Sequence, residues 1–389
     1  MKRFLFMSAL ASVALASCVN DEAMENTSKA SDQKITFNAP IVSGTTRVVY
    51  GEQPQGTDMK YSTSENFRVY AFWSKDQLKN QSWVANGEEA KLYMNNVEVA
   101  HADGDWAPEH VSGGNVYYWP KVGYLTFAAY SPSDVSNFNP TYDKDGLKIN
   151  NFKVNSEVTK QYDLMFSNRS YDRTASENLL DHVNDVHTGK SYNGVDILFK
   201  HALSSIKFKV KAAGEYTGTT IKITGITILN AYYQGNFAEN YNETNDNNDD
   251  AKWTIISTPD VAEYAVWTGD QTVDSGTAQN LNDISDVILL PQLMKHDTSD
   301  PSKSVAVKVN YTITNSESVT LQQEAILYLD DQDNNGVNDD YYTDGTNAIP
   351  AWEMGKRYTY TINIGLNTIF FSPEVEYWDD VTVTPDLTI

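Results

Sequence analysis

The chain has 389 residues, with 29 basic and 52 acidic side chains and a formal net charge of −23. This charge repels phosphate backbones and no basic cluster offsets it, so we expect no nucleic-acid partner. Aromatic residues make up 12% of the chain, a composition that favours β-structure. Cys18 is the only cysteine, so no internal disulfide forms and stability must come from apolar burial.

Residues 1–17 have the features of a secretory signal. Lys2 and Arg3 precede a mostly apolar run, 4–15, which is too short for a permanent transmembrane helix. Small residues then lead to Cys18. We therefore expect export with residues 1–17 removed, and no transmembrane segment beyond the signal. The alternative is a signal peptide cut elsewhere, with an incidental cysteine.

The sequence Leu15-Ala16-Ser17-Cys18 resembles a bacterial lipoprotein lipobox. This resemblance implies that Cys18 carries lipid, such as palmitate, and becomes the mature N-terminus. The acidic stretch at 19–22 is similar to the signal that sends some Bacteroidetes lipoproteins to the outer face of the outer membrane. Residues 18–33 are polar with few apolar side chains, which predicts a flexible tether.

From residue 34 onward the pattern alternates with a period of two residues, as in β-strands. Strand-like runs lie at 35–40, 67–73, 125–129, 206–211, 220–233, 287–290, 305–314, 319–329 and 358–364. Only 176–186 and 199–205 have a pattern compatible with a helical turn or two. Many short strands separated by turn residues predict an all-β fold of sandwiches. We place a domain boundary before Val195, which gives domains at 34–194 and 195–389.

No nucleophile elbow, P-loop, dinucleotide fingerprint or zinc spacing appears, so we predict no enzyme. His182 and His187 would hold a metal only if the backbone brought both rings together, and a loop is the favoured interpretation. We expect His201 to be packed and hydrogen-bonded rather than catalytic.

One acidic segment has the opening of a calcium loop. Asp331, Asp333 and Asn335 stand at positions one, three and five, and Gly336 at position six permits the sharp turn. Position twelve should be Glu but is Tyr342. Calcium is therefore the candidate cofactor here, and the favoured alternative is a solvated acidic hairpin tip with no cofactor.

Trp83 and Trp106 lie in polar surroundings, unlike Trp73, Trp119 and Trp378, which lie in strand-like runs. An exposed indole face can stack on a sugar ring, so Trp83 and Trp106 are the candidates for ligand binding. Packing inside the fold is the favoured alternative for both.

Several short motifs stand in order along the chain. They are Ile35-Thr36-Phe37, Thr46-Arg47-Val48, Tyr118-Trp119-Pro120, 125–132, 162–165, 199–204 and 355–360, followed by Trp378. Together these motifs resemble the fimbrillin-like, type V pilin-like lipoproteins of Bacteroidetes. The resemblance implies two transthyretin-like β-sandwich domains with Greek-key-type connections.

The same resemblance implies how such a chain assembles. An arginine-specific protease cuts between Arg47 and Val48, and the strand containing 35–40 leaves. A strand of the next subunit then fills the groove by β-augmentation. The C-terminal tail is the expected donor, because Val381, Val383 and Leu387 alternate with polar residues and Pro385 suits an edge.

Two functions remain open from the sequence. The first is a structural and adhesive pilus subunit at the cell surface, whose shaft, tip or anchor position is undetermined. The second is a monomeric lipoprotein, anchored in the outer membrane, that binds a glycan or a host protein. Cleavage at Arg47 and strand exchange favour the first, whereas retained lipid and exposed Trp83 or Trp106 favour the second.

Overall fold

The computed structural model describes residues 33–38, 41–43, 59–79, 83–85, 88–134, 139–175, 194–241, 251–256, 261–294, 300–330, 341, 348–366 and 369–378. These residues form strands, turns and three short 3-10 turns at Pro108–His110, Val158–Lys160 and Pro301–Lys303. The predicted all-β class is confirmed. The helical turn expected at 199–205 is wrong, because those residues are extended in two successive strands, and 176–186 lies outside the described residues.

The first half of the chain contributes thirteen described strands. They are β1 (Ile41–Ser43), β2 (Met59–Lys60), β3 (Phe67–Ser74), β4 (Val84–Ala85), β5 (Glu88–Glu89), β6 (Lys91–Ala102), β7 (Asp105–Ala107), β8 (Tyr124–Ser131), β9 (Thr141–Asp143), β10 (Gly146–Lys153), β11 (Met165–Ser167), β12 (Ser170–Arg173) and β13 (Leu198–His201). Nine of them make one sheet in the order β2-β1-β13-β11-β8-β3-β6-β7, with β12 also paired to β8.

The second half contributes thirteen more described strands. They are β14 (Ser204–Ala212), β15 (Thr220–Tyr232), β16 (Gln234–Ala238), β17 (Lys252–Ile255), β18 (Val261–Thr272), β19 (Gln279–Asn280), β20 (Val287–Leu289), β21 (Gln292–Leu293), β22 (Ala306–Thr314), β23 (Thr320–Tyr328), β24 (Ala351–Trp352), β25 (Lys356–Ile364) and β26 (Ile369–Tyr377). Two sheets face each other here: β19-β14-β25-β26, with β20 also on β14, and β18-β15-β22-β23.

Strand β14 shows why the sequence forms these sheets. Ile206, Phe208 and Val210 are fully buried, whereas Lys207 and Lys209 between them are half-exposed. Alternation of this kind places one face of a strand in the core and the other toward solvent, as predicted. The neighbouring strand β25 runs parallel to β14 over eight residue pairs and adds Tyr358, Tyr360 and Ile362 to the same core.

The strand pairing bears on the predicted domain boundary before Val195. Strand β13 still pairs with β1 and β11, whereas β14 pairs with strands of the second half, so the chain changes sheets at 202–203. Strands β16 and β17 of the second half also join β10 and β9 in a four-stranded sheet. One apolar cluster runs from Tyr70 to Trp378 through both halves. The division into two domains therefore stays a prediction.

Candidate functional site

Residues 33–38 lie between two edges of the nine-stranded sheet. The Phe37 amide donates to the carbonyl of Trp106 in β7, with N and O 2.8 Å apart. On the other side, the Val195 amide donates to the Thr36 carbonyl at 2.9 Å, and the Asn38 amide donates to the Val195 carbonyl at 2.9 Å. Strand β7 ends the sheet and Val195 leads directly into β13, so this segment closes the sheet around its core.

Strand β1 continues this segment along β13. Ile41, Val42 and Ser43 pair in parallel with Leu198–Lys200, and the opposite edge of β1 pairs antiparallel with β2. Removing β1 would therefore leave both of these neighbours without their ladder partner.

Two alternate side chains of the segment are buried in the first core. Ile35 and Phe37 are each 1% exposed, whereas Lys34 between turns of the chain is exposed and Thr36 is half-buried. The Phe37 ring packs edge-on against Phe67 at 5.8 Å and Phe127 at 5.7 Å between centroids. Burying two such side chains contributes about 3–6 kcal/mol, so the segment fills its groove as a core strand does.

Polar contacts fasten both ends of the segment. Lys34 Nζ lies 2.9 Å from Glu109 Oε2, and the hydrogen bond and charge of that carboxylate raise the pKa of Lys34. Asn38 Nδ2 donates to Asp196 Oδ1 at 2.9 Å. The outer end is held by the Ile35 amide, which donates to the Tyr117 carbonyl at 2.8 Å.

Gly194 allows the segment to approach this closely. Its φ is +117°, and a Cβ there would stand 2.7 Å from the Thr36 carbonyl oxygen and 2.8 Å from the Phe37 carbonyl carbon. Both atoms belong to the backbone and cannot rotate away. A glycine is therefore required for the segment and Val195 to pair.

Most of the residues predicted from motifs lie outside the described residues. These are Cys18, Arg47, Val48, Asp331, Asp333, Asn335, His182 and His187, together with the tail after Trp378. Lipidation, cleavage and calcium binding at these positions stay predictions. Within the described residues, no group of three or more His, Cys, Asp or Glu side chains is placed to hold a metal. The described part of the chain also contains no helix long and apolar enough to cross a membrane.

Trp83 and Trp106 do not offer the exposed face that a stacked sugar needs. Trp106 is 2% exposed and packs against Tyr61 and Phe67, each 5.4 Å away between ring centroids. Trp83 is 8% exposed, lies 5.2 Å from Phe72, and forms part of an aromatic cage. The ligand-binding interpretation of these two residues is corrected to packing, because distant strands cover both rings.

The aromatic cage surrounds Arg169, which the sequence analysis did not single out. Its guanidinium carbon lies 3.8 Å from the centre of the Tyr241 ring and 4.3 Å from that of Trp83. Nε donates to Tyr142 Oη at 2.7 Å, and Nη2 donates to the carbonyls of residues 143 and 144. Cation–π contacts and full hydrogen bonding compensate the burial of this charge.

The charge of Arg169 is stable in this cage. Burial works against the cation, but the phenols of Tyr142, Tyr171 and Tyr241 outweigh it and raise the pKa of Arg169. The side chain joins the nine-stranded sheet to the sheet of β9 and β10. No local motif marks it, because its partners come from sequence positions far from 169.

His201 is packed and hydrogen-bonded, as predicted. Its Nδ1 lies 2.9 Å from Asp163 Oδ2, and its ring stacks on Trp378 with centroids 4.0 Å apart. His201 ends β13, the strand along which β1 lies. The C-terminal tail therefore starts beside the sheet that residues 33–43 close.

The segment that closes the first sheet begins before the region matched by a family model. A model described as Fimbrillin-like matches residues 46–378. The chain belongs to the fimbrillin-like family. The match confirms the resemblance inferred from the short motifs. Its first matched residue precedes Arg47 by one position.

Solved structures similar to this fimbrillin-like chain show the same fold. A fimbrial protein from Bacteroides vulgatus is 19% identical, with a TM-score of 0.53, over 80% of this chain and 92% of that one. A putative cell adhesion protein from Bacteroides uniformis is 16% identical, with a TM-score of 0.44, over 89% and 99%. The tip fimbrial protein of Porphyromonas gingivalis, truncated at its C-terminus, is 9% identical, with a TM-score of 0.31, over 81% and 94%. No curated protein sequence matches the chain significantly.

Proposed function

We propose that this chain is a non-enzymatic structural and adhesive subunit of a cell-surface pilus, exported as a lipoprotein and assembled by strand addition. One observation carries the proposal: residues 33–43 fill a gap between strands that are distant in sequence. Membership of the fimbrillin-like family supports the same function. The similar structures include fimbrial and cell adhesion proteins.

Loss of the segment would create an acceptor groove. The Trp106 carbonyl and both backbone groups of Val195 would lose their partners, and the sockets of Ile35 and Phe37 would empty. An extended strand with apolar side chains two residues apart satisfies the backbone groups and refills both sockets. Acceptance of a strand from another subunit is the assembly step that this groove supports.

Arg47 is the arginine best suited to release the segment. Besides Arg3 in the signal, the other arginines are Arg68, Arg169, Arg173 and Arg357. Three of these lie within β3, β12 and β25, and Arg169 is buried in its cage. Paired strands are poor protease substrates, whereas a cut after Arg47 frees everything up to β1.

The proposed donor is the tail at 379–389. Val381 and Val383 are spaced two residues apart, as are Ile35 and Phe37 in the segment to be replaced. A shaft subunit both accepts and donates a strand, whereas a tip subunit only donates one. Both positions use the tail, and only the shaft position requires an emptied groove.

The test uses the chain without residues 1–17 and with Cys18→Ser. An arginine-specific protease is added, and polymers are followed by light scattering and negative-stain electron microscopy. We expect filaments after cleavage at Arg47, none from the Arg47→Lys control, and none from cleaved chains that lack 379–389. Cleavage at Arg47 that leaves a stable monomer would contradict assembly by strand addition.

The anchor of the precursor is proposed to be lipid on Cys18. Labelled palmitate fed to native cells should appear in the precursor and disappear with Cys18→Ser. Since one acyl chain holds only marginally, stable attachment to the outer membrane requires more than one chain on this residue. Labelling that survives Cys18→Ser would contradict this site.

A further inference from the structure

Strand β23 is a long sheet edge that lacks the usual protection against pairing. It pairs with β22 over nine consecutive residues, from Ala306 opposite Tyr328 to Thr314 opposite Thr320, without a register shift. No described strand pairs with its other edge. Its sequence, TLQQEAILY, contains one charged residue, Glu324, and no Pro, Gly or Lys.

The other long edges of the second sandwich are protected. Strand β26 carries Pro373 and the alternating acids Glu374 and Glu376. Strand β18 pairs with β15 through three register shifts, which twist and interrupt its edge. Proteins block open edges with such prolines, charges and bulges. The absence of all three within described β23 marks this edge as available for pairing.

The side chains around this edge are exposed and partly apolar. Leu321 is 55% exposed, Val319 51% and Ile326 37%. Residues 320–324 are exposed on both faces of the strand, so the hairpin extends beyond the core that the two sheets enclose. A strand from another molecule can therefore approach without displacing any described residue.

We propose that β23 pairs antiparallel with β23 of a second copy of this chain, with Gln323 opposite Gln323. In this register Leu321 faces Ala325, Val319 faces Leu327, and Gln322 faces Glu324. Apolar side chains then oppose apolar ones, and each Glu324 meets an amide. Shifting the centre to Glu324 would place two carboxylates directly opposite, which disfavours pairing.

The pairing forms an isologous dimer with one continuous eight-stranded sheet, β18-β15-β22-β23 and its symmetry copy. The surface is separate from residues 33–43 and from the tail. Two pili that carry it would associate side by side. The inference does not depend on the proposed strand exchange, because β23 is available in the uncut chain.

The test compares two lysine variants on the uncut chain without residues 1–17 and with Cys18→Ser. Gln323→Lys places two ammonium groups opposite each other, whereas Gln322→Lys places each ammonium opposite a Glu324. Gln322 and Gln323 are both exposed, so neither change disturbs the core, and both change the net charge equally. At physiological ionic strength the Debye length is about 8 Å, so mainly the facing charges differ between the variants.

Sedimentation velocity from micromolar to millimolar protein measures the dimer dissociation constant. We expect Gln323→Lys to raise it about fivefold and Gln322→Lys to lower it about fivefold relative to the parent chain. A parent chain that stays monomeric throughout would overturn the proposal. Equal effects of the two variants, or effects in the opposite order, would overturn it as well.

Discussion

The two halves of the molecule close their sheets in different ways. In the first half, the segment 33–38 bridges Trp106 and Val195, which are far from it in sequence. In the second half, adjacent strands close the sheets through hairpins with nine residue pairs each, β22–β23 and β25–β26. A short segment near a chain end can leave after one cut, whereas a strand within a hairpin stays attached on both sides.

The two cores differ accordingly. The first core is rich in aromatic rings, with Phe37, Phe67, Trp106, Phe127 and Phe199 in mutual contact or near contact. The core of the second sandwich is dominated by aliphatic side chains of β14, β15 and β22. A large ring such as Phe37 makes one residue of the removable segment responsible for much of the packing. The following predictions test this difference, from the largest expected effect to the smallest.

Phe37→Ala should lower the free energy of unfolding by about 3–5 kcal/mol, because the cavity between Phe67 and Phe127 stays unfilled. Phe371→Ala is the matched control, since Phe371 is buried in β26 of the second half. Both variants should lose comparable stability in urea unfolding. Only Phe37→Ala should also speed cleavage after Arg47, and equal cleavage rates would remove the distinction between the two halves.

Arg169→Met should cost about 3 kcal/mol, since two buried carbonyls and the Tyr142 hydroxyl lose their donor. Arg357→Met in the second half should cost about 1 kcal/mol, because its partner Asp286 is partly exposed. Urea denaturation of the two variants gives the comparison. Equal costs would show that the cage contributes no more than an ordinary ion pair.

Alkaline pH should destabilise the first half before the second. Burial raises the pKa of Tyr70 to about 12 from 10.0, and burial also raises the pKa values of Tyr61 and Tyr130. The unfolded chain releases these protons near its ordinary pKa while the folded chain retains them. This stability is therefore complete below pH 10 and declines as the pH rises toward 12.

Hydrogen exchange is too fast to follow at that pH, so unfolding is monitored by tryptophan fluorescence against urea. Tyr70→Phe should make the loss of stability between pH 10 and 12 smaller. It also removes the hydrogen bond from Tyr70 to the Pro140 carbonyl, so the comparison uses the slope with pH and not the absolute stability. An unchanged slope would contradict the assignment of the alkaline effect to Tyr70.

Asn38→Ala should cost about 1 kcal/mol, because it removes the hydrogen bond to Asp196. Amide hydrogen exchange at neutral pH should show faster exchange at Phe37 and Val195, with β25 and β26 unchanged. Faster exchange throughout the chain would mean that the closing segment and the second sandwich unfold together.

Local alternation predicted much of the fold. It identified the buried faces of β14 and β25 and the buried pair Ile35 and Phe37, because side-chain period is a property of the strand itself. Partners are set by topology, and the sequence carries no direct signal for them. The pairing of Phe37 with both Trp106 and Val195 was therefore not predicted.

Trp83 and Arg169 show the same limit from the other direction. Trp83 has polar neighbours in sequence, which indicated exposure, yet Phe72 and Arg169 cover it in the fold. Arg169 stands in an ordinary polar run, Ser167-Asn168-Arg169-Ser170, with no spacing that marks a cage. Burial of a polar or amphipathic side chain depends on distant strands, so local context predicts it poorly.

The central claim is that residues 33–43 form a removable closing strand. The most direct measurement takes the protein from the surface of its native cells and determines its N-terminal sequence and intact mass. The account predicts a chain that begins at Val48 and has lost Cys18, its lipid and the closing strand. A surface chain that still begins at acylated Cys18 would contradict strand removal and favour a permanently anchored lipoprotein.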